Sequence, residues 1–216
     1  MALVVLVSVF TGLLVIANVI ATKLLFINGW VLPAGILAYP LTFLISDTIA
    51  EIYGRKITSR IIWLGFTVSV LIVFVVYIAQ IFPAAPFWEN QEAFDTILGS
   101  VPRIVLASMI AYLISQHHDV VAFHMWKNFT GGKHLWLRNN ASTLVSQGID
   151  TVLFVCIAFA GTVEGSVLVN MVITQYIFKI LISLADTPLV YALVSLIRNR
   201  KWVDLPSYTQ SLNIKE

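Results

Sequence analysis

The stretch "IIWLGFTVSVLIVFVVYIAQIF", residues Ile61 to Phe82, contains no charged side chain and is apolar along almost all of its length. A helix needs about 20 mostly apolar residues to cross the hydrocarbon core of a bilayer, and this stretch is long enough. The rest of the chain is similar: of 216 residues, 59% are hydrophobic and 11% are charged, against about 25% charged residues in a typical soluble domain. The sequence therefore predicts an integral membrane protein.

Six stretches in all are long and apolar enough to cross a membrane. Their approximate bounds are 2–22, 33–53, 61–82, 103–124, 142–161 and 167–197. The segments between them are short and contain Gly, Pro, Asn and charged residues, which are typical of turns and loops. We therefore predict an all-α integral membrane protein, a six-transmembrane-helix bundle that forms a single domain over residues 1–198. A short cytoplasmic C-terminal tail at 199–216 follows it.

The positions of lysine and arginine predict the orientation of the bundle, because basic loops stay on the cytoplasmic side. Ten of these residues fall in alternate connections and in the C-terminal tail: Arg55, Lys56, Arg60, Lys127, Lys133, Arg138, Arg198, Arg200, Lys201 and Lys215. The other connections hold only Lys23 and Arg103. Both termini are therefore expected in the cytoplasm.

Polar side chains recur on one face of several predicted spans, at the three- and four-residue spacing of a helix. They are Asp47 and Glu51 in the second span, Ser108, Tyr112, Ser115, Gln116 and Asp119 in the fourth, Thr143, Ser146, Gln147 and Asp150 in the fifth, Gln175, Lys179, Ser183 and Asp186 in the sixth, and a weaker row of Thr11, Asn18 and Thr22 in the first. Serines and threonines in such rows often join helices to each other. Ionisable residues inside a membrane more often mark a substrate or ion path. Because lipid cannot satisfy these groups, we expect the faces to converge on a shared interior that forms a binding cavity.

The predicted interior holds five carboxylates and one lysine, Lys179. Three explanations of the excess acid are open: carboxylates that are protonated because they are buried, a cationic or hydrogen-bond-donating substrate, or a coupling cation. His117 and His118 add a metal site or a proton relay as hypotheses. However, they have no HxxxH or HExxH spacing and no cysteine partner, so a role at the membrane interface is favoured and no metal is predicted.

No sequence motif points to catalysis. The chain has no glycine-rich phosphate loop, GxSxG or HExxH motif, so neither an enzyme nor a cofactor is predicted. The lone cysteine, Cys156, cannot form an intramolecular disulfide and gives no redox or zinc signal.

Three blocks together resemble the queuosine precursor transporter family, also called the vitamin uptake transporter family. The blocks are "YPLTFLISDTIAEIYGRK" (39–56), "ISQHHDVVAFHMWKN" running into "KHLWLRNNASTLVSQGIDT" (114–151), and "YIFKILIS" (176–183). The resemblance implies a multi-pass protein of the bacterial inner membrane that imports 7-deazaguanines for tRNA queuosine salvage. The substrates implied are 7-cyano-7-deazaguanine, 7-aminomethyl-7-deazaguanine or queuine.

The family motifs, carried onto this sequence, point to Asp47, Asp119, Asp150 and Lys179 as site residues. A deazaguanine presents an N–H beside an amino group, a donor pair that a carboxylate accepts well, so Asp47 or Asp150 is expected to bind that edge. Gln147, Asn139 or Lys179 is expected to bind the carbonyl oxygen of the base. The remaining predicted site residues are Phe43 and Tyr112, which could stack on the ring, and Glu51, a second acidic contact or a gate residue near the inner mouth. Phe178 is an alternative to Phe43 or Tyr112 for stacking.

A second interpretation is the substrate-capture subunit of an energy-coupling-factor importer, which is also a six-helix bundle with both ends in the cytoplasm and which needs an ATPase module. In those proteins the first helix docks on its partner through an Ala-xxx-Ala surface, and Ala17 and Ala21 would serve. A structural scaffold is a third interpretation, which the ionisable residues argue against. The expected partners are a small-molecule substrate, a deazapurine base, and membrane lipid, with no nucleic acid. A homo-oligomer is left open, and an energy-coupling-factor module belongs to the second interpretation only.

Overall fold

Long apolar helices make up most of the computed structural model, which describes residues 2–129 and 135–199. In chain order the elements are α1 (Ala2–Ile20), β1 (Leu24–Ile27), β2 (Trp30–Pro33), a 3-10 turn (Ala34–Leu37), α2 (Tyr39–Tyr53), α3 (Arg55–Ile81), α4 (Gln91–Leu98), α5 (Val101–Phe129), α6 (Leu135–Phe159) and α7 (Gly165–Asn199). The predicted tail lies outside the described residues apart from Asn199.

Four helical segments within the described residues are long and apolar enough to cross a membrane, and they are Ala2–Ile20, Arg55–Ile81, Gln91–His118 and Gly165–Ser183. The two other predicted spans also fall on helices. The span predicted at 33–53 is divided between the 3-10 turn and the 15 residues of α2. The span predicted at 142–161 falls mostly within the 25 residues of α6, whose segment Leu144–Phe159 is apolar. The mostly helical fold agrees with the predicted class, and six crossings remain a prediction.

The connection between α1 and α2 folds as an antiparallel β-hairpin that the sequence prediction did not include. Ile27 pairs with Trp30, so the loop consists of Asn28 and Gly29, which both have positive φ (50° and 88°). An Asn-Gly pair favours this type of two-residue turn because both residues tolerate positive φ. The short helix α4 was also not predicted. It lies in the connection between the third and fourth predicted spans.

Two buried apolar clusters hold the described helices together. The first joins α1, α2, α3 and α7 through Ala2, Leu6, Phe10, Ile45, Ile49, Ile52, Ile61, Val194 and Ile197. The second joins the end of α1 to α5, α6 and α7 through Ala21, Ile104, Ala107, Ala111, Phe154, Val155, Ala158, Phe159 and Met171. Because α7 takes part in both clusters, it connects the two halves of the bundle.

The outer face of α3 is apolar, unlike the surface of a soluble helix. Leu71, Phe74, Val75 and Ile78 follow helical spacing and expose 58%, 60%, 63% and 37% of their surface. An apolar face this large is unusual on a soluble monomer, and a lipid environment satisfies it. Together with the apolar helices, it makes this chain a multi-pass membrane protein.

Candidate functional site

A cavity of about 180 Å³ lies between the helices. Its lining residues come from α1 (Phe10, Leu14, Ala17, Asn18, Ala21), the segment before α2 (Pro33, Gly35, Ile36), α2 (Tyr39, Thr42, Phe43, Ser46), α3 (Ile62, Phe66), α5 (Ser108, Ala111, Tyr112, Ser115, Gln116), α6 (Gln147, Asp150, Phe154) and α7 (Lys179). A mainly apolar and aromatic wall with a few placed polar groups is typical of small-molecule sites.

A buried ion pair forms the charged part of this wall. Lys179 Nζ lies 2.5 Å from Asp150 Oδ2, and the two side chains are 1% and 23% exposed. Ser115 Oγ lies 3.5 Å from the other carboxylate oxygen, Oδ1, and Lys179 Nζ lies 5.2 Å from the ring centroid of Tyr39. The lysine charge is therefore neutralised within the protein. Among the described residues, Asp150 Oδ1 has at most a long hydrogen bond, to Ser115.

Aromatic side chains line the cavity around this pair. Tyr39 and Phe43 on α2 have ring centroids 5.8 Å apart, and Phe66 on α3 meets Tyr112 on α5 edge to face at 5.2 Å. Phe154 on α6 also lines the cavity. Flat apolar rings of this kind can hold a planar aromatic ligand by stacking.

The structure brings five of the nine predicted site residues to the cavity wall, and they are Phe43, Tyr112, Gln147, Asp150 and Lys179. Their role in binding a ligand remains a prediction. The polar face predicted on α5 lines the cavity through Ser108, Tyr112, Ser115 and Gln116. Helical periodicity thus located the inward faces of α5 and α6. The Phe178 side chain, also considered for stacking, is 40% exposed and does not line the cavity.

Asp47 and Glu51 do not line the cavity, and both are exposed. Asp47 lies close enough to Asp186 on α7 for the two carboxylates to repel each other. The Asp186 side chain is buried. The side chains of Asp119 and Asn139 lie outside those that the structure describes. For Asp47 and Glu51, a part in substrate binding stays a prediction that the cavity does not support. For Asp119 and Asn139 it stays a prediction.

The sequence prediction missed several cavity residues. Tyr39, Thr42 and Ser46 line the cavity from α2, although the prediction placed the site on the Asp47 face of that helix. Asn18 lines it from α1, where the row with Thr11 and Thr22 was its only signal. Tyr39 is the first residue of the block 39–56 that carried the family resemblance. Helical spacing alone gave no indication that it lines the cavity.

His117 and His118 on α5 do not line the cavity. His118 Nδ1 lies 3.1 Å from Ser146 Oγ on α6 and forms a hydrogen bond between the two helices, while His117 is exposed. Across residues 2–129 and 135–199, no three His, Cys, Asp or Glu side chains are grouped so that they could hold a metal ion.

Ala17 and Ala21 pack inside the protein, where the connection before α2 meets α1. They are 8% and 3% exposed. A Cβ on Gly35 would lie 2.6 Å from the Ala17 carbonyl oxygen and 3.1 Å from Ala21 Cβ, so the backbone approach needs glycine at that position. The small-residue surface of α1 is therefore used within the chain and is not open to a second protein.

A multi-pass membrane protein that encloses a cavity with an internal ion pair and aromatic walls has the construction of a small-molecule transporter. The chain belongs to the vitamin uptake transporter family, because the family model described as "Putative vitamin uptake transporter" matches residues 33–193.

Curated relatives agree with this assignment. The "Probable queuosine precursor transporter" of Bacillus subtilis (strain 168) is 33% identical over 186 residues, which cover 86% of this chain and 81% of the relative. The "Queuosine precursor transporter" of Escherichia coli (strain K12) is 30% identical over 153 residues, 69% of this chain and 66% of the relative. No solved structure matches the chain.

Proposed function

We propose that this protein imports a queuosine precursor across the bacterial inner membrane and binds its 7-deazaguanine base in the cavity. The relatives are named for this activity. The observation that carries the proposal is the combination of an available carboxylate oxygen with aromatic walls. The candidate substrates are 7-cyano-7-deazaguanine, 7-aminomethyl-7-deazaguanine and queuine.

Asp150 is the acid we assign to the donor edge of the base. It lines the cavity and is partly accessible, whereas Asp47 does not line it. An N–H beside an amino group matches a carboxylate, and hydrogen bonds to a charged acceptor are strong. Lys179 holds the other oxygen of Asp150 and so orients the carboxylate. We assign stacking on the base to the aromatic side chains Phe43 and Tyr112.

Transport requires that the cavity open in turn to each side of the membrane. Alternating access around a central site is the usual mechanism of transporters of this size. The polar and aromatic groups of α2, α5, α6 and α7 would face outward to bind the base and inward to release it.

The buried packing of Ala17 and Ala21 against Gly35 favours a transporter that acts alone. The energy-coupling-factor interpretation would use that surface of α1 for docking. Uptake by the purified chain in liposomes that contain no ATPase module tests this choice, and uptake that requires such a module would select the other interpretation.

Filling the cavity tests the proposed function. Ser46 lines the cavity, and its hydroxyl bonds only to the Phe43 carbonyl of its own helix at 3.0 Å, so Ser46→Leu places extra volume in space that is already empty. In cells that cannot make queuosine precursors, the wild-type chain should restore tRNA queuosine from supplied precursor. Ser46→Leu should reduce precursor uptake at least about tenfold, because a filled pocket excludes a planar base.

The control is Ser183→Leu, which adds the same side chain at an exposed position of α7 and should transport like the wild type. Both variants are compared at equal amounts in the membrane. A wild-type chain that restores no queuosine, or a Ser46→Leu variant with normal uptake, would contradict the proposal.

A further inference from the structure

The amide of Asn18 on α1 is a polar group of the cavity that the protein's own hydrogen bonds leave unsatisfied. Asn18 is 6% exposed and lines the cavity, and its Nδ2 has no hydrogen-bond partner within residues 2–129 and 135–199. A buried amide without a partner is costly, and such groups in native proteins are rare. The position therefore calls for a ligand atom.

The packing of α1 fixes which face of this helix is turned toward the cavity. Phe10, Leu14 and Asn18 are spaced four residues apart and line the cavity together, so they share one helical face. The neighbouring face, with Ala17 and Ala21, is held against Gly35. This contact prevents α1 from rotating and presents Asn18 to the cavity from a helix other than those that carry the ion pair.

The serine and threonine hydroxyl groups of the cavity wall are already used as donors. Those of Thr42, Ser46, Ser108 and Ser115 bond to backbone carbonyls three residues earlier in their own helices, at 2.9, 3.0, 2.9 and 3.1 Å. Lys179 is engaged with Asp150. Within the described wall of the cavity, the Asn18 nitrogen is the only side-chain polar atom that is buried without a partner, so Asn18 has a donor to give.

We propose that Asn18 is a specificity-determining residue that donates a hydrogen bond from Nδ2 to the ring carbonyl oxygen of the bound base. This inference rests on the proposed function. It replaces Lys179, Gln147 and Asn139 as the group that binds the carbonyl. Asp150 then accepts from the donor edge, so the two residues bind complementary atoms of one ligand.

Two ligands test the proposal, 7-deazaguanine and its 6-thio analogue. The analogue keeps the N–H and the amino group that Asp150 would bind and replaces only the oxygen by sulfur, a weaker acceptor. Binding to detergent-purified full-length protein is measured by calorimetry. The wild type should bind the oxo base about tenfold or more tighter than the thio base, since a site built to bond an oxygen rejects a ligand without it.

Asn18→Leu removes the donor at similar size, and Asn18→Asp keeps the shape while replacing the nitrogen by an oxygen. Either variant should lose about tenfold in affinity for the oxo base and should no longer prefer it over the thio base. The second variant serves if the first does not fold. The control is Thr11→Val on the same helix, because the Thr11 hydroxyl is also buried without a described partner but does not line the cavity.

Thr11→Val should keep wild-type affinity and preference. The inference is overturned if both Asn18 variants keep the preference for oxygen, if they weaken both ligands equally, or if Thr11→Val has the same effect. A wild-type protein that binds neither base contradicts the proposed function itself, and the inference falls with it. A wild type that binds while Asn18 variants retain the preference contradicts this inference only.

Discussion

The charge of Lys179 needs the stabilisation that its partner provides more than the charge of Asp150 does. The lysine side chain is 1% exposed, and the aspartate side chain, which faces the cavity, is 23% exposed. An ammonium group with so little access to water loses most of its stabilisation when its partner is neutralised. A partly accessible carboxylate keeps some hydration. The two halves of the pair should therefore differ when each is removed alone.

Asp150→Asn should destabilise the protein by about 3–5 kcal/mol, the usual cost of breaking a buried pair, and Lys179→Met should cost less. The double variant should be more stable than Asp150→Asn, because no buried charge then lacks a partner. Thermal unfolding of the purified proteins in one detergent ranks the three variants.

Asp95→Asn provides the control for this comparison. Asp95 bonds Gln91 at 3.0 Å on the short helix α4, away from the bundle interior. The variant should cost less than about 1 kcal/mol, because asparagine keeps an oxygen that accepts from the neutral Gln91 amide. If Lys179→Met is less stable than Asp150→Asn, then removing the lysine costs more than removing the aspartate, and the prediction is wrong.

Among individual residues, the sequence predicted part of the cavity wall for a physical reason. Gln147, Asp150 and Lys179 are polar residues at helical spacing in apolar helices, and such residues must face inward. Asp47 and Glu51 have the same spacing, but near a helix end a carboxylate can also reach polar surroundings outside the bundle. Aromatic cavity residues such as Tyr39 could not be found in this way, because aromatic residues also fill ordinary cores.

One asparagine of α7, Asn170, joins this helix to the α1–α2 connection by two hydrogen bonds. Asn170 Oδ1 accepts a hydrogen bond from the Val31 backbone N–H at 2.9 Å, and Asn170 Nδ2 donates to the Gly29 carbonyl at 3.0 Å. Both amide atoms therefore bind the hairpin. The segment that follows the hairpin lines the cavity through Pro33, Gly35 and Ile36, so this contact also positions one wall of the cavity.

Asn170→Ala should loosen the hairpin, because two hydrogen bonds are lost at a net cost of about 1 kcal/mol each. Hydrogen exchange measured by mass spectrometry should be at least about tenfold faster across residues 24–33. Asn170→Asp retains the acceptor for the Val31 N–H, so its effect should be smaller.

Asn90→Ala is the matched control, because Asn90 is exposed and its side chain makes no capping bond to α4. It should leave exchange in the hairpin unchanged. Equal exchange in Asn170→Ala and the wild type would show that strand pairing and the packing of Leu24 and Val31 hold the hairpin without these two hydrogen bonds.

The helices were easier to predict than their connections. An apolar run such as Ile61–Phe82 dictates a membrane helix by its length and composition. The hairpin depends instead on four residue pairs and on a partner far away in sequence, Asn170. The Asn28-Gly29 dipeptide was a local signal for it, but such a dipeptide is also common in ordinary loops.

Charge distribution predicts how the whole molecule lies in the membrane. Arg55, Lys56 and Arg60 lie in the first turns of α3, directly after the connection from α2, and the connection between α3 and α4 has no lysine or arginine. Basic residues remain on the cytoplasmic side. The orientation follows from the distribution of charge between connections, and the fold is compatible with it because these two connections lie at opposite ends of α3.

Labelling of single cysteines tests this orientation. Cys156 is the only cysteine of the chain, so Cys156→Ser gives a background without thiols. In that background Phe87→Cys, at a position 87% exposed, should react with a membrane-impermeant maleimide in intact cells. Lys56→Cys should react only after the cells are permeabilised, and the opposite pattern would invert the predicted orientation.

Membrane voltage acts on net charge, and moving one elementary charge through 100 mV changes the free energy by about 2.3 kcal/mol. Lys179 and Asp150 form a neutral pair, and the described cavity wall has no other charged side chain. The membrane voltage would then do no net work on the wall when an uncharged base crosses. An aminomethyl cation, in contrast, would be drawn toward the negative inside of the cell. Sensitivity to voltage would in that case be a property of the cargo.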